Sequence, residues 1–408
     1  CDTGPNFPKE SLRKEKDIFD VWFESGSSWN GVLRAREPEL TFPADMYLEG
    51  SDQHRGWFQL SMLPALASVG TVPFKSVLTH GFVVGPDGKK VSKSDKNYVT
   101  AVQEINKHGA DVLRLFISSC DYEGDMSASP QMIKDFGDKY RKIRNTLRYL
   151  MSNLYDYDGS VTDVPAASLD GWVLSQLDEL IIDVTKAYDT YAFHRVFRAI
   201  HDFCAVQISA VYGNAMKDRL YCDLPNSPLR RRSQQVMQTM LIALTKLMAP
   251  VLVFTADEAW EAIAHKDAAE ANLASVHLAT LPKPSGRIAS DADKAAWARL
   301  FELREQALAQ LDKLKKEQGV NKSVDTEAVY KLKPTTRTIL EGFGVDLEDV
   351  VSAGSSSIVE GDDTVELVDR RNDYAACARS WKRRKDVGSD PEYPDLTLRD
   401  AAAVKAKR

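Results

Sequence analysis

The chain has 408 residues, more than one ordinary domain holds, so we expect two or three domains. Hydrophobic residues make up 43% and charged residues 27%, as in soluble globular proteins, and no apolar run approaches the length of a membrane span. The net charge of −6 excludes a uniformly basic nucleic-acid binder. Local basic runs at Arg230–Arg232, Lys382–Lys385 and Lys405–Arg408 fit either a phosphate-facing patch or a solvated surface.

Five scattered cysteines bear on redox setting and metal chemistry. None lies in a Cys-x-x-Cys pair, which argues against a disulfide framework and an intact zinc knuckle and fits a reducing cytoplasm. No signal peptide opens the sequence, which begins with Cys1 and not with Met. We therefore expect a cytoplasmic fragment or processed product with no membrane partner.

Residues 1–125 alternate short apolar strands with helices. The pattern predicts strands at Asp45–Glu49 and Ser76–Val84, helices at Arg55–Ala67 and Ala110–Ser119, and a turn at Gly85–Gly88. Strands that alternate with helices are typical of a parallel α/β sheet, so this region is predicted to be part of one.

From residue 126 the pattern changes to long amphipathic helices. On the first of them apolar residues recur at intervals of three and four, at Phe136, Tyr140, Ile143, Leu147, Leu150 and Leu154. Further helices are predicted at about 169–189, 193–216, 231–248 and 254–265, with Ala249-Pro250 separating the last two. Long helices with short connections predict a helical bundle over 126–285.

The rest of the chain follows a linker rich in Pro, Ser and Gly within 279–292. We expect a helix from Trp297 to Gln318, ended by Gly319, and then short strands at Glu327–Leu332 and Thr364–Val368 around one helix. Residues 286–372 are therefore predicted to form a helix plus a small α+β region, and 373–408 a basic tail.

Two polar clusters are candidate sites. The loop Gly88–Asn97 carries lysines and two serines just after a strand; lysine places charge on transferring phosphates, and hydroxyl and N–H groups add neutral donors. The segment Leu48–Phe58 packs polar groups around glycines at a strand-to-helix junction, where a helix start can hold an anion. By composition alone, a solvated loop and a helix N-cap with surface charges explain these clusters as well.

Three motifs resemble those of the bacterial-type isoleucyl-tRNA synthetases, which are class I aminoacyl-tRNA synthetases. Lys90–Ser94 reads Lys-Val-Ser-Lys-Ser, where the family has Met in second place, and His80-Gly81 precedes it by ten residues, as in the family. Glu49–Phe58 resembles the family's adenylate-site segment. Asp20–Gly26 matches its Asp-Val-Trp-Phe-Asp-Ser-Gly segment with one Glu for Asp, and helical landmarks such as Asp138–Arg148 extend the resemblance over nearly the whole chain.

The resemblance implies ATP-dependent activation of isoleucine, with Mg²⁺, and transfer to isoleucine tRNA by a monomeric enzyme. It assigns Lys90 and Lys93 to catalysis on the phosphates and Trp22 and Trp57 to the amino-acid pocket, although core packing suits the tryptophans as well. The residues it assigns to ATP and adenylate binding are Glu49, Gly50, Asp52, Gln53, His80, Gly81, Ser92 and Ser94. The implied fold is a Rossmann-like catalytic remnant in 1–125, followed by an anticodon-binding bundle.

Two departures from the family change these expectations. No His-x-Gly-His motif occurs, and in the family this motif lies in the N-terminal half with the inserted editing domain, so we expect a C-terminal fragment that is inactive alone. The family's four-cysteine zinc ribbon is degenerate here, because its ligand positions read Cys377, Ser380, Thr397 and Asp400. A structural zinc site needs about four good ligands, so no zinc is expected.

Two other functions remain open from the sequence. Residues 126–330 suit a non-catalytic tRNA-binding module, and Trp381 beside Lys382–Lys385 is a candidate for stacking on unpaired bases. A valyl or leucyl relative is the third possibility, although those enzymes share the lysine loop and not the Gly-Ser-Asp-Gln-His-Arg-Gly-Trp string at 50–57.

Overall fold

The computed structural model describes residues 9–85, 88, 100–266, 268–287 and 289–406, without the side chain of Lys9. Contacts divide the chain into two compact units. The first comprises the described part of Cys1–Tyr98 with Asp121–Ser129, and the second that of Val99–Cys120 with Pro130–Arg408. Strands and helices alternate in the first unit, and helices dominate the second.

The first unit contains two pairs of parallel strands. β1 (Tyr47–Gly50) pairs with β2 (Val77–His80), and β3 (Val83–Val84) pairs with β4 (Met126–Ser127). Its α-helices, α1 (Val21–Gly26) and α2 (Trp57–Val69), pack against each other. Because α2 connects the parallel strands β1 and β2, the three elements form the βαβ unit that the alternating sequence pattern predicts.

The strand predicted over Ser76–Val84 is divided after His80. The Gly81 N–H donates a hydrogen bond to the Tyr122 carbonyl at 2.9 Å. A Cβ added to Gly81 would lie 2.2 Å from the Gly124 carbonyl oxygen, so only glycine permits this approach. The chain therefore changes strand partner here, from β1 to β4, and the prediction of one continuous strand is wrong.

The second unit begins with a bundle of helices. Its α-helices are α3 (Ala101–His108), α4 (Ala110–Ser118), α5 (Pro130–Ser152), α6 (Leu169–Asp189), α7 (Phe193–Asp202), α8 (Gly213–Ala215), α9 (Lys217–Cys222), α10 (Pro228–Met248), α11 (Val253–Ala262) and α12 (Asp291–Gln318). A π-helix, Phe203–Tyr212, joins α7 to α8, so the helix predicted over 193–216 consists of three segments. Among the described helices, none has both the length and the apolar character needed to cross a bilayer.

The chain continues into a three-stranded sheet with the order β6–β5–β7. β5 (Thr326–Leu332) runs parallel to β6 (Ser355–Glu360) and antiparallel to β7 (Thr364–Asp369). The short helices α13 (Pro334–Leu340) and α14 (Asp346–Asp349) connect β5 to β6, and α15 (Leu398–Lys405) lies near the C-terminus. The parallel pair needs such a crossover because a hairpin joins only antiparallel strands.

The amphipathic pattern of α5 is confirmed by burial. Ile143, Leu147 and Leu150 are buried, and the other predicted core residues, Phe136, Tyr140 and Leu154, pack partly buried against the core. Spacings of three and four place them on one face because an α-helix has about 3.6 residues per turn. Gly319 ends α12 in the left-handed conformation, with φ 66°, as its position predicts.

Helix α4 packs on the bundle, although the sequence pattern groups it with the first domain. The Asp111 carboxylate accepts hydrogen bonds from the Thr255 N–H at 2.7 Å and hydroxyl at 2.6 Å. The Arg114 guanidinium donates to the Val251 carbonyl at 2.9 Å. Residues 99–120 thus belong to the helical unit, and the contact boundary differs from the boundary predicted near residue 125.

Candidate functional site

The residues assigned to adenylate binding lie at the carboxyl ends of two neighbouring parallel strands. Gly50 of β1 is paired with His80 of β2. The chain leaves β1 through a 3₁₀ helix, Ser51–Arg55, which carries Asp52 and Gln53. The structure therefore brings the two sequence motifs to one edge of the sheet, where parallel α/β folds bind their ligands.

Gly50 allows two carboxylates to gather at this edge. Its N–H donates to the Glu49 carboxylate at 2.8 Å, and a Cβ on Gly50 would lie 2.8 Å from Asp52 Oδ1. Glu49 and Asp52 are both exposed. Ionised carboxylates only accept hydrogen bonds, so this edge suits a ligand that offers hydroxyl or ammonium donors.

Gln53 has a structural contact within the site. Its side-chain oxygen accepts a hydrogen bond from the Trp57 N–H at 3.1 Å. This bond satisfies one of the backbone donors that the first turn of α2 leaves free. The amide NH₂ group of Gln53 can donate to a ligand at this edge, and its oxygen retains a second lone pair.

Trp57 and Trp22 differ in how firmly they are held. The Trp57 ring stacks on Tyr47, with centroids 4.2 Å and planes 4° apart, and its Nε1 donates to the Ser25 carbonyl at 3.1 Å. This hydrogen bond ties α2 to the C-terminal end of α1, whereas Trp22 lies in the first turn of α1 and is 43% exposed. Packing thus positions Trp57, whereas Trp22 presents its ring to solvent; the pocket role of both stays a prediction.

His80 is half-buried and oriented by the adjacent peptide. Its Nδ1 lies 2.8 Å from the Gly81 carbonyl oxygen. A carbonyl oxygen only accepts, so Nδ1 carries the proton and Nε2 of the neutral ring is left as an acceptor. The ring can therefore accept a hydrogen bond from a ligand, such as one from an amino group.

A groove of about 620 Å³ lies between α1 and α2, away from these residues. It is lined by Phe23, Ser27, Trp29, Asn30, Leu60, Leu63, Pro64, Ala67 and Ser68. None of the residues assigned to the adenylate or the amino acid lines it, and its walls are largely apolar. The groove therefore does not define the candidate site.

The lysine loop lies outside the described residues. The predicted catalytic residues Lys90 and Lys93, and the predicted phosphate-binding residues Ser92 and Ser94, all fall within 89–99. Their roles therefore stay predictions.

The basic run at Arg230–Arg232 forms ion pairs within the bundle. Arg230 is 3% exposed, and its guanidinium donates to both oxygens of the Asp156 carboxylate at 2.8 Å. Arg232 donates to the buried Asp170 carboxylate at 2.7 Å. The interpretation of this run as a phosphate-binding patch is wrong for Arg230 and Arg232, because their charges are used in ion pairs with Asp156 and the buried Asp170.

The C-terminal basic run, Lys382–Lys385, also forms ion pairs within the fold. Lys382 is 3% exposed, and its ammonium group binds Asp218 of α9 at 3.0 Å as well as Glu348 of α14. Arg384 binds the same Glu348 carboxylate. The interpretation of this run as a solvated surface is therefore wrong for Lys382 and Arg384, because both bind a buried carboxylate of α14.

Lowering the pH from about 4 to about 2 should weaken the ion pairs that Asp218 of α9 forms with the C-terminal segment. Burial acts to raise the pKa of Asp218, but the hydrogen bond from Arg399 and the charge of Lys382 lower it to about 2. Asp223 also lies near Arg399, at 3.6 Å. A carboxyl whose pKa is lower in the folded than in the unfolded state stabilises the fold above about pH 4, and that stabilisation is lost as the pH falls through the folded pKa.

The variant Asp218→Asn isolates this contribution. At pH 5 the variant should have a lower free energy of unfolding than wild type, as measured by urea denaturation. At pH 2 this difference should be about 2 kcal/mol smaller. A difference that does not change over this range would show that the Asp218 ion pairs contribute no stability.

Exposed cations remain on α5. Lys134, Arg141 and Arg148 are spaced by seven residues, so they form a stripe about 21 Å long on one face of the helix. Arg141 pairs with Asp138 on the same helix. The stripe has the charge and the reach to contact several phosphates of a nucleic-acid backbone.

Trp381 lies exposed beside a cationic side chain, and a second contact between a cation and a ring lies in the same C-terminal segment. It is 64% exposed, and the Lys322 ammonium lies 5.2 Å from its ring centroid. The Lys385 ammonium lies 5.7 Å from the ring of Tyr374. Aromatic rings interleaved with cations suit unpaired nucleobases, so this patch is a second candidate for RNA contact.

Comparisons with known proteins relate both units to one family. Residues 4–129 match the family "tRNA synthetases class I (I, L, M and V)", and residues 170–330 match "Anticodon-binding domain of tRNA ligase". Curated relatives named isoleucine–tRNA ligase are 38% identical over 98% of this chain in Geobacillus kaustophilus, 40% over 96% in Carboxydothermus hydrogenoformans and 41% over 97% in Caldicellulosiruptor saccharolyticus. The chain spans 43% to 45% of the length of these relatives.

A solved ternary complex, LeuRS-tRNA-LeuAMS from Agrobacterium radiobacter, is similar in fold. The TM-score is 0.54 at 18% identity, and the match covers 68% of this chain and 34% of that chain. At this identity the likeness establishes the fold alone.

Proposed function

This chain belongs to the class I tRNA synthetases, and we propose that it is the part of an isoleucine–tRNA ligase that carries one side of the adenylate site and the anticodon-binding bundle. The observation that carries the proposal is the pairing of Gly50 with His80 at the ends of two parallel strands. This pairing supports a shared role for the acidic segment and the His80-Gly81 segment, because both lie at the same edge of the sheet. Amino-acid composition alone does not predict that these two segments lie close together.

The residues at this edge have separable roles in the proposed reaction. Activation joins isoleucine to the adenylate part of ATP and releases pyrophosphate, so negative charge develops on the leaving phosphates. Glu49 and Asp52 would accept hydrogen bonds from ribose hydroxyls or the ammonium group of isoleucine, and His80 would border the adenine. Lys93, with Lys90 nearby, would stabilise the phosphates, and Mg²⁺ would enter with ATP.

Isoleucine-dependent ATP–pyrophosphate exchange by the full-length synthetase tests the proposal. We expect isoleucine to be preferred over valine by about 10- to 200-fold, since one methylene in an apolar pocket is worth that much discrimination. Leucine should be a poor substrate. Preferential exchange with valine or leucine would assign the enzyme to a sister group, and no exchange with any of the three would favour a non-catalytic tRNA-binding module.

The helical unit should bind isoleucine tRNA weakly and with a marked salt dependence, despite the net charge of −6. The exposed stripe of Lys134, Arg141 and Arg148 motivates this expectation. Each phosphate contact releases counterions, which contributes about −0.7 to the slope of log affinity against log salt on single strands. Removing two cations, in Lys134→Ala/Arg148→Ala, should therefore make the slope shallower by up to about 1.4.

Filter binding of the chain to isoleucine tRNA over a salt series measures the slope. Lys331→Ala is the matched control, because Lys331 is a half-exposed lysine on β5 that pairs with Glu366. A flat salt response, or no preference over an unrelated tRNA, would contradict the proposed surface.

A further inference from the structure

We propose that residues 376–404 form a ribbon-like module in which the Asp400 carboxylate occupies the central place that a zinc ion holds in metal-bound ribbons. The proposal concerns the folding of this module and does not depend on the proposed enzymatic activity. It rests on the spacing of four residues, on their convergence in the structure and on the polarity of the resulting cluster.

The four residues have the spacing of a zinc ribbon. Two residues separate Cys377 from Ser380, two separate Thr397 from Asp400, and 16 residues, 381–396, lie between the pairs. Four cysteines in this arrangement, with roughly 15–20 residues between the pairs, are typical of a zinc site. Here one cysteine remains, so the donor set does not fit zinc, which needs about four good ligands.

Three of the four positions nevertheless meet at one carboxylate, and the fourth caps the helix that carries it. Cys377 Sγ donates a hydrogen bond to Asp400 Oδ2 at 2.9 Å, and Ser380 Oγ donates to the same oxygen at 2.6 Å. The Asp400 N–H donates to Thr397 Oγ1 at 3.2 Å, which caps the start of α15. Cys377 and Asp400 are fully buried, and Thr397 is 2% exposed. Residues about 20 positions apart are thus joined around one carboxylate.

The cluster has the opposite polarity to a metal site. A zinc ion is a central cation that accepts lone pairs, whereas Asp400 is a central anion that accepts hydrogen bonds. Its other oxygen, Oδ1, accepts hydrogen bonds from Arg399 Nε at 2.9 Å and Nη2 at 2.7 Å. The positive charge of the site is therefore supplied by the chain itself, and a zinc ion would be repelled by Arg399.

The cluster sets the direction of the neighbouring turn. The Cys377 N–H donates to the Lys382 carbonyl at 2.9 Å, and the Trp381 N–H donates to the Cys377 carbonyl at 2.9 Å. Within this turn Trp381 has a φ of 61° and is exposed, whereas Lys382 points inward to Asp218. By holding Cys377, Asp400 therefore determines which side of the turn faces solvent and which side docks on α9.

The wild-type chain provides the first test. Metal analysis of the purified protein should find no stoichiometric zinc, and treatment with 1,10-phenanthroline should leave amide hydrogen exchange in 376–404 unchanged. One zinc per chain that is lost in Cys377→Ala would overturn the proposal.

The second test removes the central charge and keeps its size. In Asp400→Asn, amide exchange in 376–404 should accelerate at least about tenfold, while exchange in α5 and α10 stays unchanged. Asp395→Asn is the matched control, because Asp395 is an exposed carboxylate in the same module. Unchanged protection in Asp400→Asn would show that the carboxylate does not hold the module together.

The third test asks whether the four positions lie close enough together to bind one metal ion. The triple variant Ser380→Cys/Thr397→Cys/Asp400→Cys places four cysteines at the four positions, so it should bind one zinc ion per chain and regain hydrogen-exchange protection in 376–404 when zinc is added. A triple variant that takes up no zinc would show that the positions do not converge and would overturn the proposal.

Discussion

Replacing Lys93 with alanine should lower kcat for isoleucine activation in the full-length synthetase by roughly 100- to 1000-fold, which corresponds to the loss of one strong contact to developing charge. The reason is differential binding. Charge on the leaving phosphates is larger in the transition state than in bound ATP, so a lysine in the proposed role would stabilise the transition state more than the ground state. The KM for isoleucine should change little, because the role proposed for Lys93 concerns the phosphates and not the amino-acid side chain.

Exchange kinetics at varied isoleucine and ATP separate the two effects. Lys75→Ala is the matched control, because Lys75 is a lysine of the same unit, 56% exposed and paired with Asp45 at 2.7 Å. An exposed pair of this kind is worth about 0–1 kcal/mol of stability, so the control should keep kcat within about twofold. A Lys93→Ala enzyme with kcat within about threefold of wild type would refute the assigned role.

The sequence predicted most elements of the fold because their signals are local. The spacing of apolar residues located α5 and its buried face, and Gly319 marked the end of α12. Signals of this kind lie within one or two helical turns. The division of the strand at Gly81 was missed because its cause is the approach of Gly124, more than 40 residues away in sequence.

The burial of charged residues also depends on partners that are distant in sequence, so it could be predicted even less well. Arg230 and Lys382 belong to basic runs that resemble phosphate-binding surfaces, yet both are buried. Their partners, Asp156 and Glu348, are 74 and 34 residues away, and nothing in the local sequence indicates the pairing. Burial of a charge depends on which carboxylates the fold brings to it, so composition cannot separate an internal ion pair from an RNA-binding patch.

The candidate site was predicted in part. Motif resemblance selected Glu49–Gln53 and His80-Gly81, and the strand register joins them at one edge. The stack of Trp57 on Tyr47 was not predicted, although the aromatic residue on β1, ten positions earlier, was the available signal. Aromatic side chains in a core tend to pair with one another, and that tendency would have linked the two rings.

Replacing Arg219 with methionine should destabilise the second unit by about 3–5 kcal/mol. Arg219 is 2% exposed and lies among three buried carboxylates: it binds Asp346, contacts Asp349 at 2.8 Å and lies 3.5 Å from Asp170. Methionine fills much of the same volume but leaves these carboxylates without their shared cation. An uncompensated buried charge costs far more than the ion pair contributes, so the loss should exceed that of any surface pair.

Urea denaturation of wild type and variant measures the loss. Arg337→Met is the matched control, because Arg337 and its partner Glu341 are both 52% exposed, and the pair should contribute less than about 1 kcal/mol. A loss below about 1 kcal/mol for Arg219→Met would show that the carboxylates are stabilised by other groups.

The pH dependence of the Arg219→Met variant provides an internal check on the cause. Burial already raises the pKa of Asp346, against the opposing charge of Arg219. Without that charge the pKa of Asp346 should rise further in the folded state, above its value in the unfolded chain. A raised folded pKa means that the folded state binds protons more tightly, so the variant should recover stability as the pH falls from neutral toward about 4, the pKa of a carboxyl in the unfolded chain. A loss that stays constant over this range would point to a packing defect instead of unpaired charge.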